Sequence, residues 1–135
     1  MKQSIDPRNP SRQERKLLEF LLRKNFTGRD PLRRQLESAR VCGEYGIGDP
    51  TIVLWVDQSP ANYASVDHRI PVEASGIDSD GMKIHILVHV VDGFLSELEI
   101  FREDGAAIQR MPDPNSLEVL SSREVQLRAR YSRTD

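Results

Sequence analysis

MKIHILVHVVDGFLSELEIF, residues 82–101, reads as two β-strands around a turn and sets the fold. Apolar side chains recur at every second position on either side of Asp92-Gly93, the period of a half-buried strand, and Asp-Gly is a strong hairpin signal. A three-residue loop, Val91-Asp92-Gly93, pairs Val90 with Phe94. Ile84 then faces Ile100, Ile86 faces Leu98 and Val88 faces Ser96, which makes one face apolar. The opposite face pairs Lys83 with Phe101, His85 with Glu99, Leu87 with Glu97 and His89 with Leu95. A two-residue turn sets Val88 against Glu97 and buries a carboxylate, so the three-residue register is the expected one.

Working outward, Asp78-Ser79-Asp80-Gly81 is a turn that joins this hairpin to a strand over residues 70–77. Residues 51–56, TIVLWV, form a further strand whose nearly unbroken apolarity predicts burial on both faces. Residues 57–69 read as a long loop, and residues 42–50, with Gly43, Gly46 and Gly48, as a glycine-rich connection. On the far side, Asp104-Gly105 makes a turn and residues 111–115 a proline-rich loop. Residues 117–120 and 125–131 then fit short strands, with helix the alternative across 116–131.

The N-terminal third is helical. Ser11 and Glu14 fit the capping box, in which the Ser hydroxyl takes the N3 amide and the Glu carboxylate the N-cap amide. Leu17, Leu18, Leu21 and Leu22 make one apolar stripe, and the helix stops near residues 25–28. Asp30-Pro31 opens a second helix, with Asp as cap, Pro in the first turn, and Leu32, Leu36 and Ala39 on its apolar side. Residues 1–10, with two prolines and few apolar side chains, are expected to be a disordered or extended tail ahead of one domain over 11–135.

Lys and Arg number 19 against 21 Asp and Glu, a net charge of −2, which excludes a broadly basic nucleic-acid binder. The charges are segregated: residues 1–40 hold 11 basic and 5 acidic side chains, and residues 41–120 hold 4 and 14. An acidic middle block of this kind suits a basic partner, since opposed fields speed encounter. No apolar run approaches the roughly 20 residues that span a bilayer, and the N-terminus lacks the apolar stretch of a secretory signal. Together with a lone cysteine, Cys42, this predicts a cytoplasmic protein without membrane contact.

Each candidate chemistry has a plainer reading. His85 and His89 stand about 13 Å apart along a strand and cannot share one zinc. Asp78, Asp80 and Gly81 resemble part of a calcium loop that lacks its bidentate Glu. The three glycines after Cys42 precede a strand, whereas phosphate-cradling glycines follow one and open a helix. Cys42 itself sits after the second helix, where the dipole disfavours a thiolate. The loop with Asp57, Ser59, Tyr63, Ser65, Asp67 and His68 has no nucleophile-elbow signature. Arg123, Arg128, Arg130 and Arg133 fit a charged edge strand. No catalytic residue, metal or cofactor is therefore expected.

DGFLSELEIFREDG, residues 92–105, resembles a motif of small, uncharacterised bacterial proteins: a D-G-x-L-x-x-L-E-I hairpin followed by a D-G turn. The likeness runs loosely over residues 12–120 and includes Gly48-Asp49-Pro50 before an apolar strand. It implies a domain of unknown function, and size and charge make it similar to immunity proteins that neutralise toxins. The expectation is an α+β fold, two N-terminal helices packed on one face of a mainly antiparallel sheet of five or six strands. The chain is expected to be a non-enzymatic binding protein, monomer or homodimer, whose Glu97, Glu99, Glu103, Asp104, Asp78 and Asp80 meet a basic protein. The alternative is a small-molecule-binding domain or enzyme with a cavity lined by Trp55, Tyr63, His68 and His85.

Overall fold

The computed structural model describes residues 2–132; Met1 and residues 133–135, Arg133 among them, lie outside the described residues. Three α-helices accompany one antiparallel sheet of seven strands in the order β1-β2-β3-β6-β5-β4-β7. The strands are β1 (Gln3–Arg8), β2 (Arg40–Glu44), β3 (Ile52–Trp55), β4 (Val72–Ile77), β5 (Lys83–Val91), β6 (Phe94–Arg102) and β7 (Glu118–Ser121). The helices are α1 (Arg12–Leu21), α2 (Arg29–Gln35) and α3 (Ser122–Ser132).

Two of the seven strands fall where loop or tail was expected. Residues 3–8 pair antiparallel with β2, so the tail is an edge strand; Pro7, without an amide hydrogen, is tolerated there. Arg8 fixes its end, donating to Glu14 at 2.8 Å and 3.1 Å and to Glu44 at 3.1 Å and 3.3 Å. Cys42 and Gly43 belong to β2, so the glycine-rich connection shortens to the turn before β3.

Ser11 caps α1 with the full capping box. Helix α2 starts earlier than its Asp30-Pro31 signal, capped by Gly28 at φ 91°. A Cβ at Gly28 would meet Val66 Cγ1 at 2.7 Å and the Ser65 carbonyl oxygen at 2.9 Å, so only glycine makes this turn against the neighbouring loop. At the C-terminal end the chain is first strand, then helix: Ser121 and Glu124 form a second capping box, and its hydrogen bonds start α3.

Leu17, Leu18, Leu21 and Leu22 of α1 and Leu32 and Leu36 after it join one core with Val41, Ile52, Leu54, Val72, Ile84, Ile86, Val88, Leu98 and Ile100 of the sheet. Each fully buried leucine contributes about 2 kcal/mol. β3 is buried on one face only: Ile52 and Leu54 are covered, while Trp55 is half exposed.

The central hairpin corrects the expected register. Asp92 and Gly93 have φ of 52° and 86°, a two-residue turn with both central residues left-handed, and Val91 pairs with Phe94 and Val90 with Leu95. A β-bulge at Ser96 then inserts one residue, after which His89 pairs with Glu97, Val88 with Leu98, Ile86 with Ile100 and His85 with Phe101. The bulge lets the tight turn coexist with a buried apolar face. Without it Glu97 would oppose Val88.

Candidate binding face

Because strand side chains alternate, the residues that do not enter the core share the other face of the sheet. Val53 and Trp55 of β3, Glu97, Glu99 and Phe101 of β6, His85, Leu87 and His89 of β5 and Glu73 and Ser75 of β4 lie there, none of them fully buried. Trp55 is 49% exposed and Phe101 39%. The face thus presents accessible aromatic surface beside several carboxylates.

Two of those carboxylates, Glu97 and Glu99, and Glu103 just past the end of β6 have defined partners. The Tyr45 hydroxyl donates to Glu97 Oε1 at 2.7 Å. That hydrogen bond, with burial second, pushes the Tyr45 hydroxyl up to about 12. His89 Nε2 lies 2.8 Å from Glu99 Oε1, and Arg69 Nε donates to His89 Nδ1 at 3.1 Å. A guanidinium has no acceptor, so Nδ1 supplies the lone pair and the proton of the neutral ring sits on Nε2, donated to Glu99. His85 Nε2 lies 3.2 Å from Glu103 Oε1, with its ring stacked on Phe101 at a centroid distance of 5.1 Å. Among the described residues, none of these three carboxylates pairs with a lysine or arginine.

The other three sequence-designated carboxylates do a different job. Arg102, 5% exposed, donates from Nη1 to Asp78 Oδ2 and reaches Asp80 Oδ2, both at 2.9 Å, and holds Asp104 in a two-pronged pair at 3.0 Å and 2.8 Å. Asp78 is buried and also accepts the amides of Ser79, Gln109 and Arg110 at 2.7–2.9 Å. Burial by itself would raise the Asp78 carboxyl. The Gln109 amide, the Arg102 guanidinium and the amides of Ser79 and Arg110 outweigh it and hold the group well below the usual carboxylate range. The Arg102 guanidinium and the Ala106 amide hold Asp104 down at about 2. This cluster ties the turn after β4 to the end of β6 and the loop beyond, and leaves Asp78 no surface to offer a partner.

The four residues of the alternative cavity are dispersed. Tyr63 and His68 border one open depression of about 360 Å³ together with Asp67, Arg69 and Asp92. Tyr63 meets Phe94 edge to face, and His68 Nε2 lies 3.1 Å from Gln126 Nε2. Trp55 and His85 are on the sheet face and do not line that depression. Of the basic C-terminal residues, Arg128 donates to Glu118 at 2.8 Å.

A family model described as a domain of unknown function, DUF6984, matches residues 7–112. The chain belongs to the DUF6984 family. Comparison with curated proteins and with solved structures gives no match. The DUF6984 match contains the sheet face and the Arg102 cluster, and ends before β7 and α3. No helix of the described DUF6984 chain is long and apolar enough to cross a membrane.

Sequence reasoning missed Tyr45 and Arg69, which orient Glu97 and His89 from a hairpin and a loop. It also set His85 against Glu99, because a register two residues away keeps the same faces and so looks identical in the alternation. The Ser96 bulge, not any motif, brings His89 together with Glu97 and Glu99.

Proposed function

We propose that this DUF6984 domain acts by binding and not by catalysis, docking a basic protein segment on the outer face of its sheet in the manner of an immunity-like inhibitor. The observation that carries this is the row of Glu97, Glu99 and the accessible Phe101 along β6, with Glu103 just beyond it, on a sheet face that also exposes Trp55; among the described residues no lysine or arginine pairs with those carboxylates. Aromatic anchors ringed by charge are the usual composition of protein interfaces, and a partner's arginine or lysine would find both a carboxylate and a ring to stack on. Asp78, Asp80 and Asp104, occupied by Arg102, are left out of the contact surface. Similarity in size and charge to small immunity proteins points the same way.

Trp55 is the only tryptophan of the chain and stands on the face in question, so its fluorescence reports binding there. The test selects a displayed random peptide library on the protein and titrates the winners against Trp55 emission. Peptides rich in Arg or Lys are expected, weakening about 10-fold as salt rises from low to several tenths molar. The triple variant Glu97→Gln, Glu99→Gln, Glu103→Gln should lose them. Selected peptides without basic bias, or with equal affinity for the triple variant, would overturn the reading.

A further inference from the structure

We propose that His89, Glu97 and Glu99 form a binding site for a divalent transition metal of the zinc class. One atom from each of the three side chains lies within 4.8 Å of the other two. One imidazole nitrogen and two carboxylate oxygens are a zinc donor set, and three protein ligands leave a position for water or an incoming group. Tetrahedral ligands with bonds near 2 Å stand about 3.3 Å apart, so side-chain rotations on the order of an ångström complete the geometry.

The backbone makes this grouping specific. His89 and Glu97 are direct cross-strand partners, and Glu99 is two residues along β6 on the same face. The Tyr45 hydroxyl holds Glu97 by a neutral hydrogen bond, which orients the carboxylate and leaves its charge for an ion, as supporting groups around metal ligands do. His85 cannot join: it sits about 13 Å along the strand and is engaged with Glu103 and Phe101.

Arg69 gives the inference a signature that a merely sticky acidic surface lacks. Without metal, Arg69 donates to Nδ1 and Nε2 carries the proton. A metal on Nε2 takes that lone pair, so the ring proton leaves Nε2 for water and one returns at Nδ1. The imidazole stays neutral, and Arg69, whose side chain is exposed, has to let go. Arg69 and the metal therefore compete for one imidazole.

The test is calorimetric titration of the full chain with Zn²⁺ alone, repeated with Co²⁺ for its visible spectrum. Wild type should take up one equivalent with a Kd below about 100 μM. His89→Ala, Glu97→Gln and Glu99→Gln should each weaken it about 10-fold or more, while Cys42→Ser leaves it unchanged. The two Gln variants are isosteric, and melting curves on all variants separate loss of metal from loss of fold. Arg69→Ala should bind about 10-fold tighter. Lys83→Gln, which removes a positive charge from the same strand without touching His89, should change affinity far less. No saturable uptake, equal affinity in His89→Ala, or equal gains from Arg69→Ala and Lys83→Gln would each overturn the site. The ion is the only probe, so the outcome is independent of the docking reading, which the peptide selection decides.

Discussion

The backbone amide of Leu95 on β6 donates to the side-chain Oε1 of Gln35 on α2 at 2.9 Å. The β3–β6 ladder reaches only as far as Val53 opposite Glu97, so β3 offers no partner to Leu95, which pairs with Val90 on its other side, and a buried glutamine takes that place. Its Nε2 donates to the carbonyls of Asn62 at 2.6 Å and Gly93 at 2.9 Å, so one side chain satisfies three backbone groups. Gln35→Leu keeps the volume and strands the Leu95 amide and the Asn62 carbonyl, while the Gly93 carbonyl keeps the Ala64 amide at 3.0 Å. The expected loss is about 2–4 kcal/mol, read as a lower urea midpoint with unchanged slope. Gln35→Glu, which sets an acceptor-only carboxylate against two carbonyls, should be worse; equal stability of Gln35→Leu and wild type would refute the staple.

The Arg102 cluster makes stability depend on acid. Asp104 titrates at about 2 in the folded chain and Asp78 lower still, whereas both titrate near 4 when unfolded. Between those values the unfolded chain takes up protons that the folded chain refuses. Their contribution is therefore complete above about pH 4 and drains away as the pH falls towards 2. Glu14 and Glu124, also lowered, act in the same direction. The wild-type Tm should fall steeply from pH 5 to pH 2.5. Asp104→Asn should start lower and fall less steeply, and parallel curves would contradict the assignment. Arg102→Leu, which leaves Asp78 buried without its cation, should lower the Tm at pH 7 by about 10 °C or more.

How much of this was legible follows from what alternation encodes. The apolar stripe of α1 and the capping box at Ser11 involve local spacings, and the structure has them where the spacing put them. The common face of Glu97, Glu99 and Glu103 was legible for the same reason, since parity survives a shift of two residues. The shift itself was not, because a bulge changes the count and not the pattern. Arg102 looks like any charged residue at a strand end, and only the three aspartates that close over it reveal a buried cation. Capping residues at Ser121 and Glu124 were the readable sign that strand becomes helix there.

The turn that fixed the register is testable at one atom. Gly93 has φ 86°, and a Cβ there would run into the ring of Tyr63. Gly93→Ala meets both the backbone strain and the clash and should cost about 2–3 kcal/mol in a chemical melt. Asp92→Asn keeps a residue at home in the left-handed region and should change stability by less than about 0.5 kcal/mol. If the two variants proved equally stable, a left-handed Gly93 packed against Tyr63 would be wrong.

Strand β1 is the sharpest departure from propensity, and its amides decide whether it is a strand. Residues 3–8 are mostly exposed and carry Pro7, so nothing local favours extension; pairing with β2, the Arg8 contacts and the packing of Ile5 on the core supply the order. Hydrogen exchange should protect ladder amides in this segment well beyond the rate of a free peptide, though less than those of β5, because an edge strand opens locally before the centre does. Deleting residues 2–8 should remove about 1–2 kcal/mol, the burial of Ile5 and a few hydrogen bonds, while α1 stays folded on its Ser11 cap. Exchange at the free-peptide rate, with no loss of stability on deletion, would return the segment to the tail that its sequence suggests.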